Sequence, residues 1–255
     1  MQRGDVLIGT LVTLGSPDVA EMLALVGFDY LWLDAEHAPS DFATVQAMVQ
    51  AVGDRCSTRV RVPENREVWI KRALDTGCDG LIVPQVRSGA EAQAAVDAAF
   101  YPPLGKRSVG ITRAHRYGMA FQETVATANE RIAVVVQIEH ADAVERIGEI
   151  LAVPGIGAVM VGPYDLSGSM GLTGQVGHPE VQRAIARVLS GCRAAKVPAG
   201  IFVADADSAR NAVRQGFTLL GLGLDSLFLW QRARDELAGV RASLQGRTPA
   251  VGARI

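Results

Sequence analysis

The chain has 255 residues, 49% of them hydrophobic, and a formal net charge of −2 at neutral pH. That is enough apolar material for one large α/β domain or two small ones, and the charge balance argues against nucleic acid or an anionic membrane as the main partner. The N-terminal MQRGDVLIGT lacks the apolar core and cleavage site of a secretion signal, no apolar run approaches the roughly 20 residues of a membrane span, and Cys56, Cys78 and Cys192 are too scattered for a disulfide framework or a zinc site, so a reducing cytoplasm is the expected location.

Short β-branched runs alternate with amphipathic stretches along the chain. A strand is expected at 7–12, then a helix at 17–27, a strand at 30–34, a helix at 41–53, a strand at 58–62 and a helix at 66–77. A strand at 80–84 and a helix at 89–100 follow, with a long insertion over 101–131. The second half gives strands at 133–139, 158–162, 199–204 and 219–223, separated by helices at 141–151, 178–195 and 205–216 and closed by one at 229–244. Gly27, Gly77 and Gly216 stand where left-handed helix caps belong. A Gly-rich connection spans 163–178, and long connections of this kind are usually functional. Residues 1–245 are expected to form one domain and 246–255 a disordered tail.

Eight strands in strict alternation with helices, within about 250 residues, predict a (β/α)₈ barrel. The rival, a doubly wound open sheet, needs a Gly-rich phosphate turn after an early strand. GTLVTLGSP is not one, and GLGLDS at 221–226 is a partial match in the wrong place, so no nucleotide cofactor is expected.

Barrels carry their chemistry at the C-terminal ends of the strands. The polar residues there are Asp34, Glu36 and His37 on strand two, Arg61 on strand three, Gln137 and Glu139 on strand five, Asp165 after strand six, Asp205 after strand seven and Asp225 after strand eight. Gln137 and Glu139 are two apart and share one face. Glu139 and Asp165, on neighbouring strands, then converge as two oxygen donors for Mg²⁺ or Mn²⁺. The alternative makes Glu139 the cap of the helix beginning HADAV and leaves Asp165 in a turn. Arg61 has a rival in Arg59, and the deeper of the two needs a carboxylate partner. Of the three lysines, Lys71 lies in a helix, Lys106 in the long insertion and Lys196 before strand seven, none of them at a site for imine chemistry. A metal is then needed for any electrophilic work on carbon–carbon bonds.

FDYLWLDAEHAP (28–39), VRVPENREVWIKRALDTGCDGLIVPQV (60–86), YPPLGKRSVG (101–110), VVVQIE (134–139), GIGAVMVGPYDLSGSMG (155–171) and HPEV (178–181) together resemble the metal-dependent (class II) pyruvate aldolases of the 4-hydroxy-2-oxoheptanedioate and 2-dehydro-3-deoxyglucarate aldolase family, related to the citrate lyase β-subunit group. The resemblance runs from about residue 8 to 230. It implies that Glu139 and Asp165 hold a divalent metal (Mg²⁺, Mn²⁺ or Co²⁺). Arg61 would hold the keto oxygen and steady an enolate, and His37 with Asp75 would form the acid/base pair. Gln137, Gly162, Pro163 and Tyr164 would line the pyruvate pocket, while Asp34 and Glu36 would orient water on the metal. Position 164 is Tyr where the family often has a small residue. The implied reaction cleaves or forms 4-hydroxy-2-oxo acids, giving pyruvate or hydroxypyruvate plus an aldehyde. A hexamer with the last helix exchanged between subunits is also implied, as is slow oxaloacetate decarboxylation. The alternative within enzymes is a citryl-type or CoA-ester lyase, or an enolate-condensing enzyme.

Overall fold

The computed structural model describes residues 5–244. Eight parallel strands close into a barrel in chain order: β1 (Leu7–Val12), β2 (Tyr30–Asp34), β3 (Ser57–Arg61), β4 (Gly80–Val83), β5 (Ala133–Ile138), β6 (Ile156–Val161), β7 (Ala199–Val203) and β8 (Leu219–Leu224). This is the (β/α)₈ architecture expected from the alternation. Strands of such a barrel are covered on both faces, which is why β2 reads YLWLD and buries all five of its residues.

The helices are α1 (Pro17–Val26), α2 (Phe42–Val52), α3 (Glu67–Asp75), α4 (Gly89–Ala99), α5 (Phe121–Arg131), α6 (Ala141–Glu145), α7 (Ile147–Leu151), α8 (Pro163–Ser169), α9 (Pro179–Ala195), α10 (Ala206–Gln215) and α11 (Asp225–Ser243). Ser16, Asp41, Ser88 and Asp205 each accept a backbone N–H at a helix start. Asp205 is thereby a capping residue rather than a site residue.

Three segments differ from the sequence-based expectation. The helix over 141–151 breaks at Arg146, whose φ of −100° and ψ of 17° leave the helical well, and so divides into α6 and α7. The connection after β6 opens with α8, because Pro163 at the first helical position pre-sets φ for a helix. The insertion over 101–131 contains a 3₁₀ segment, Arg113–Gly118, and α5. It runs from α4 to β5, so it lies on the amino-terminal side of its own barrel, opposite the carboxyl ends of the strands. The tail at 246–255 lies outside the described residues.

Large rings fill the barrel. Tyr30 and Trp32 are both fully buried with Ile82, Val135 and Met160 in an inner apolar cluster. Two glycines on neighbouring strands make room for them. A Cβ on Gly9 would stand 2.5 Å from the Tyr30 ring, and one on Gly221 would stand 3.2 Å from the Trp32 ring. Arg59 and Arg61 point inward from β3 at two depths. Arg59 lies over the Tyr30 ring at 4.7 Å and Arg61 over the Trp32 ring at 5.1 Å. The deeper Arg59 has no salt bridge among the described residues, contrary to the expectation of a carboxylate partner. The face of Tyr30 stands in its place, and burial pulls its pKa down.

Asp225 closes the barrel. Its carboxylate accepts the backbone N–H of Thr13, of Leu14 and of Ser226 and the Thr13 hydroxyl, tying the end of β8 to the loop after β1. It is therefore a fastening residue. It is also the one buried residue of α11. Leu229, Trp230, Leu237 and Val240 farther along α11 are exposed, as are Met22, Leu25 and Val26 on α1.

Candidate active site

The carboxyl ends of β2 and β3 meet in register, Asp34 opposite Arg61. Lateral pairing thus sets a carboxylate beside a guanidinium before any side chain chooses a rotamer. Arg61 donates through Nε to Asp34 Oδ1 at 2.9 Å and through Nη2 to Oδ2 at 2.7 Å, with the two side chains 7% and 1% exposed. This two-pronged bond is the strongest geometry available to the pair. Burial works against the Arg61 charge, and the Asp34 bonds more than offset it, so its pKa is held above the usual value. Asp34 Oδ1 also accepts the backbone N–H of Glu36 at 3.0 Å and folds the turn after β2. With both oxygens engaged, Asp34 positions Arg61 and the turn.

Glu36 follows on that turn. Its Oε2 lies 3.0 Å from Arg61 Nη1 and 3.7 Å from His37 Nε2, yet no aligned hydrogen bond reaches this buried oxygen. Burial pushes the Glu36 carboxyl up to about 7, Arg61 opposes the shift, and Asp34 and Asp165 add to it.

On β5, Gln137 and Glu139 share the inward face as expected. Gln137 Nε2 donates to Glu139 Oε2, and the backbone N–H of Gln85 donates to Glu139 Oε1 at 2.7 Å. Gln85 reaches it from beyond β4 with φ of 56°, a left-handed conformation uncommon for a non-glycine residue. Sequence reasoning missed Gln85, since its contribution is a backbone N–H and its side-chain type carries no signal. The capping alternative for Glu139 fails. His140 caps α6, its Nδ1 accepting the Asp142 N–H at 3.1 Å. Burial pushes Glu139 up to about 7. The Gln85 bond and Arg61 lower it, while Glu36 and Asp165 raise it.

Asp165 sits exposed in the first turn of α8. It borders one open cleft with Gln85, Glu139, His140 and Tyr164. It also borders a smaller cavity of about 190 Å³ with Arg61, Gln137, Gly162, Pro163 and Tyr164. Trp32, Leu11, Phe202 and Leu224 complete the walls of that cavity. These apolar residues were not singled out from the sequence, because they read only as core. A Cβ on Gly162 would stand 2.9 Å from Glu139 Oε2 and 3.1 Å from Gln137 Nε2, so a larger residue there would displace both polar side chains.

His37 projects outward, its side chain 67% exposed beside Glu36. Asp75 does not join it within one chain. It ends α3 on the amino-terminal side of the barrel, where Arg107 Nη2 donates to its Oδ1 at 2.9 Å. The expected His37–Asp75 pair is thus not formed by one subunit. A C-terminal helical position leads back to the start of the next strand, away from the strand tips.

Among the described residues, no three His, Cys, Asp or Glu side chains are gathered into a ready metal cage. The donor chemistry nonetheless fits a hard divalent cation. Glu139 and Asp165 face one cleft, and Glu36 and Glu139 are both held near 7 by burial and by crowding among carboxylates. Such crowding marks a deficit of positive charge that a divalent ion relieves. Gln137 Oε1 is a further buried oxygen without a partner. Lys71 lies on α3, Lys106 pairs with Asp97, and Lys196 ends α9, so none stands at the strand tips.

Comparison with known proteins points the same way. The model of the HpcH/HpaI aldolase/citrate lyase family matches residues 7–231. A hydroxypyruvate/pyruvate aldolase of Paraburkholderia phytofirmans is 37% identical over 250 residues, covering 95% of this chain and 96% of its own. A 2-keto-3-deoxy-L-rhamnonate aldolase of Salmonella dublin is 36% identical over 248 residues, covering 96% and 92%. The crystal structure of an aldolase/citrate lyase family protein from Burkholderia cenocepacia superposes with a TM-score of 0.91 at 36% identity, covering 93% of this chain and 95% of that one. The chain belongs to the HpcH/HpaI aldolase/citrate lyase family and is an aldolase, a carbon–carbon lyase.

Proposed function

We propose that the protein cleaves 4-hydroxy-2-oxo acids to pyruvate or hydroxypyruvate plus an aldehyde, and forms them in reverse, at the mouth of the barrel between Arg61, Glu139 and Asp165. The observation that carries this reading is the Arg61 guanidinium, locked by Asp34 beside a cavity that Gln137 and Asp165 also border. Glu139 and Asp165 would hold Mg²⁺, Mn²⁺ or Co²⁺, which supplies Lewis-acid stabilisation of developing negative charge. Arg61 binds the keto oxygen of the 2-oxo acid and stabilises the enolate that forms as the C3–C4 bond breaks. Gln137 and the Gly162–Tyr164 turn bind and orient the 2-oxo acid. His37, exposed at the rim, accepts the proton of the 4-hydroxyl, and the aldehyde departs. Protonation of the enolate at C3 completes the product. Asp75 serves His37 only in an assembly where it comes from another subunit.

The exposed apolar residues of α11 and of α1 support exchange of the last helix between subunits, within a hexamer. A cytoplasmic location accords with the absence, among the described residues, of any helix long and apolar enough to cross a membrane.

Oxaloacetate decarboxylation tests the enolate assignment, since loss of CO₂ leaves the same enolate. CO₂ release above the metal-only background is expected, and Arg61→Ala should return it to background. Release at background level from the unaltered protein would overturn the reading.

A further inference from the structure

Two Arg–Asp pairs of this chain close differently. Arg61 grips both oxygens of Asp34, whereas Arg107 reaches Asp75 with Nη2 alone, at 2.9 Å to Oδ1. Arg107 Nε is buried without a partner, and among the described residues no hydrogen bond reaches Asp75 Oδ2. The Asp75 side chain is 25% exposed, that of Arg107 only 2%. Asp75 is thus fixed by one oxygen and leaves the other free. Arg107 is in turn held in layers. Its guanidinium lies over the Tyr101 ring at 4.7 Å, and its backbone N–H donates to the Phe100 carbonyl at 2.9 Å. Asn129 on α5 clasps both backbone groups of Tyr101, at 2.8 and 2.9 Å. The Tyr101 hydroxyl pairs with Nε2 of the buried His115 at 3.0 Å, and His115 Nδ1 pairs with Thr112 Oγ1 at 3.2 Å.

We propose that Arg107 is a positioning residue for the aldol reaction: stacked on Tyr101, it fixes one Asp75 oxygen so that the other meets His37 of a second copy of this chain. The proposal rests on the aldolase reading above, with His37 as its base. His37 and Asp75 stand at opposite ends of one barrel, so only a second copy unites them. A carboxylate oxygen that accepts one N–H of the His37 ring fixes the tautomer whose other nitrogen takes the 4-hydroxyl proton. Where that oxygen points is set by the bond Arg107 makes to its twin. A planar guanidinium seated on a ring fixes a direction that a rotating ammonium does not. The insertion around Arg107 also exposes Leu104, Val109 and Ile111, apolar residues of the kind that a subunit contact covers.

Oxaloacetate decarboxylation separates positioning from folding, because loss of CO₂ yields the enolate with no 4-hydroxyl proton to remove. Arg107→Ala should lower kcat for cleavage of a 4-hydroxy-2-oxo acid by about tenfold or more, part of the roughly 10²–10⁴ that a general base contributes. Its KM and its oxaloacetate decarboxylation should stay unchanged. Arg107→Lys keeps a cation over the Tyr101 ring, so it serves where the alanine variant does not fold, and it should show the same split to a smaller degree. Coexpressed Arg107→Ala and His37→Ala subunits should cleave faster than either variant alone, since a mixed assembly contains sites with an intact His37 and an Asp75 held by Arg107. Equal losses in cleavage and decarboxylation, an unchanged cleavage rate, or no gain on mixing would overturn the role of Arg107 while leaving the aldolase reading in place. Full cleavage by His37→Ala would overturn it too, by removing the base that Asp75 serves. No pyruvate from any 4-hydroxy-2-oxo acid with the unaltered protein would bring down the aldolase reading and this proposal with it.

Discussion

Replacing Asp34 by Asn separates two roles for this residue. Asn keeps the size and can still accept the Glu36 N–H, but it removes the charge that faces Arg61 Nε and Nη2 at 2.9 and 2.7 Å. Both side chains are almost wholly buried, so the guanidinium would be left with Glu36 alone, at 3.0 Å and poorly aligned. Breaking a buried pair from one side costs about 3–5 kcal/mol, and the retained amide oxygen places this variant near the lower figure. For a chain of this size that corresponds to a fall in Tm of roughly 6–12 °C. Loss of a fixed donor to the developing oxyanion should lower kcat by about 100-fold or more. Thermal denaturation and a pyruvate-release assay on the same preparation read both effects. A residue that only orients water would lower kcat and leave Tm unchanged. That outcome, or an unchanged kcat, would refute the assignment of Asp34 as the anchor of Arg61.

Glu139→Gln and Asp165→Asn should each abolish metal-dependent turnover and leave the far-UV circular dichroism of the barrel intact; unchanged rates would refute them as metal ligands. Cation binding should depend on pH, since Glu36 and Glu139 are both pushed up to about 7 in the metal-free chain. With the folded pKa above the unfolded 4.5, the folded metal-free state holds the extra protons, so its stability should fall as pH rises from 4.5 through 7. A divalent ion displaces those protons, so its affinity should increase across the same window, with proton release measurable by calorimetry in two buffers. Trp230→Glu on α11 should shift the protein from the proposed hexamer to smaller species in light scattering, and an unchanged mass would count against the exchange of this helix.

The fold was legible because a barrel strand is buried on both faces, so β2 and β5 stand out as apolar runs that end in polar residues, and β6 as an apolar run. The inward pair Gln137 and Glu139 followed from strand alternation, and the His37 turn followed from its place after β2. Lateral register was not legible: only the closed sheet sets Asp34 against Arg61 and takes up both Asp34 oxygens. The place of Asp75 at the end of α3 does follow from barrel topology, which sets it away from His37 in the same chain; whether another subunit brings the two together is not written in one chain's pattern. Gln85 was invisible because its backbone conformation, not its side chain, fixes Glu139. The glycines of 163–178 concealed α8, although Pro163 already carried the signal for a helix start.

The most direct test of the central claim is pyruvate release from 4-hydroxy-2-oxo acids, coupled to lactate dehydrogenase, after stripping with EDTA and again with Mg²⁺, Mn²⁺ or Co²⁺ restored. The expected result is release that disappears with the metal and returns with it. Release indifferent to EDTA, or no pyruvate with any metal, would contradict an aldolase built on Arg61, Glu139 and Asp165.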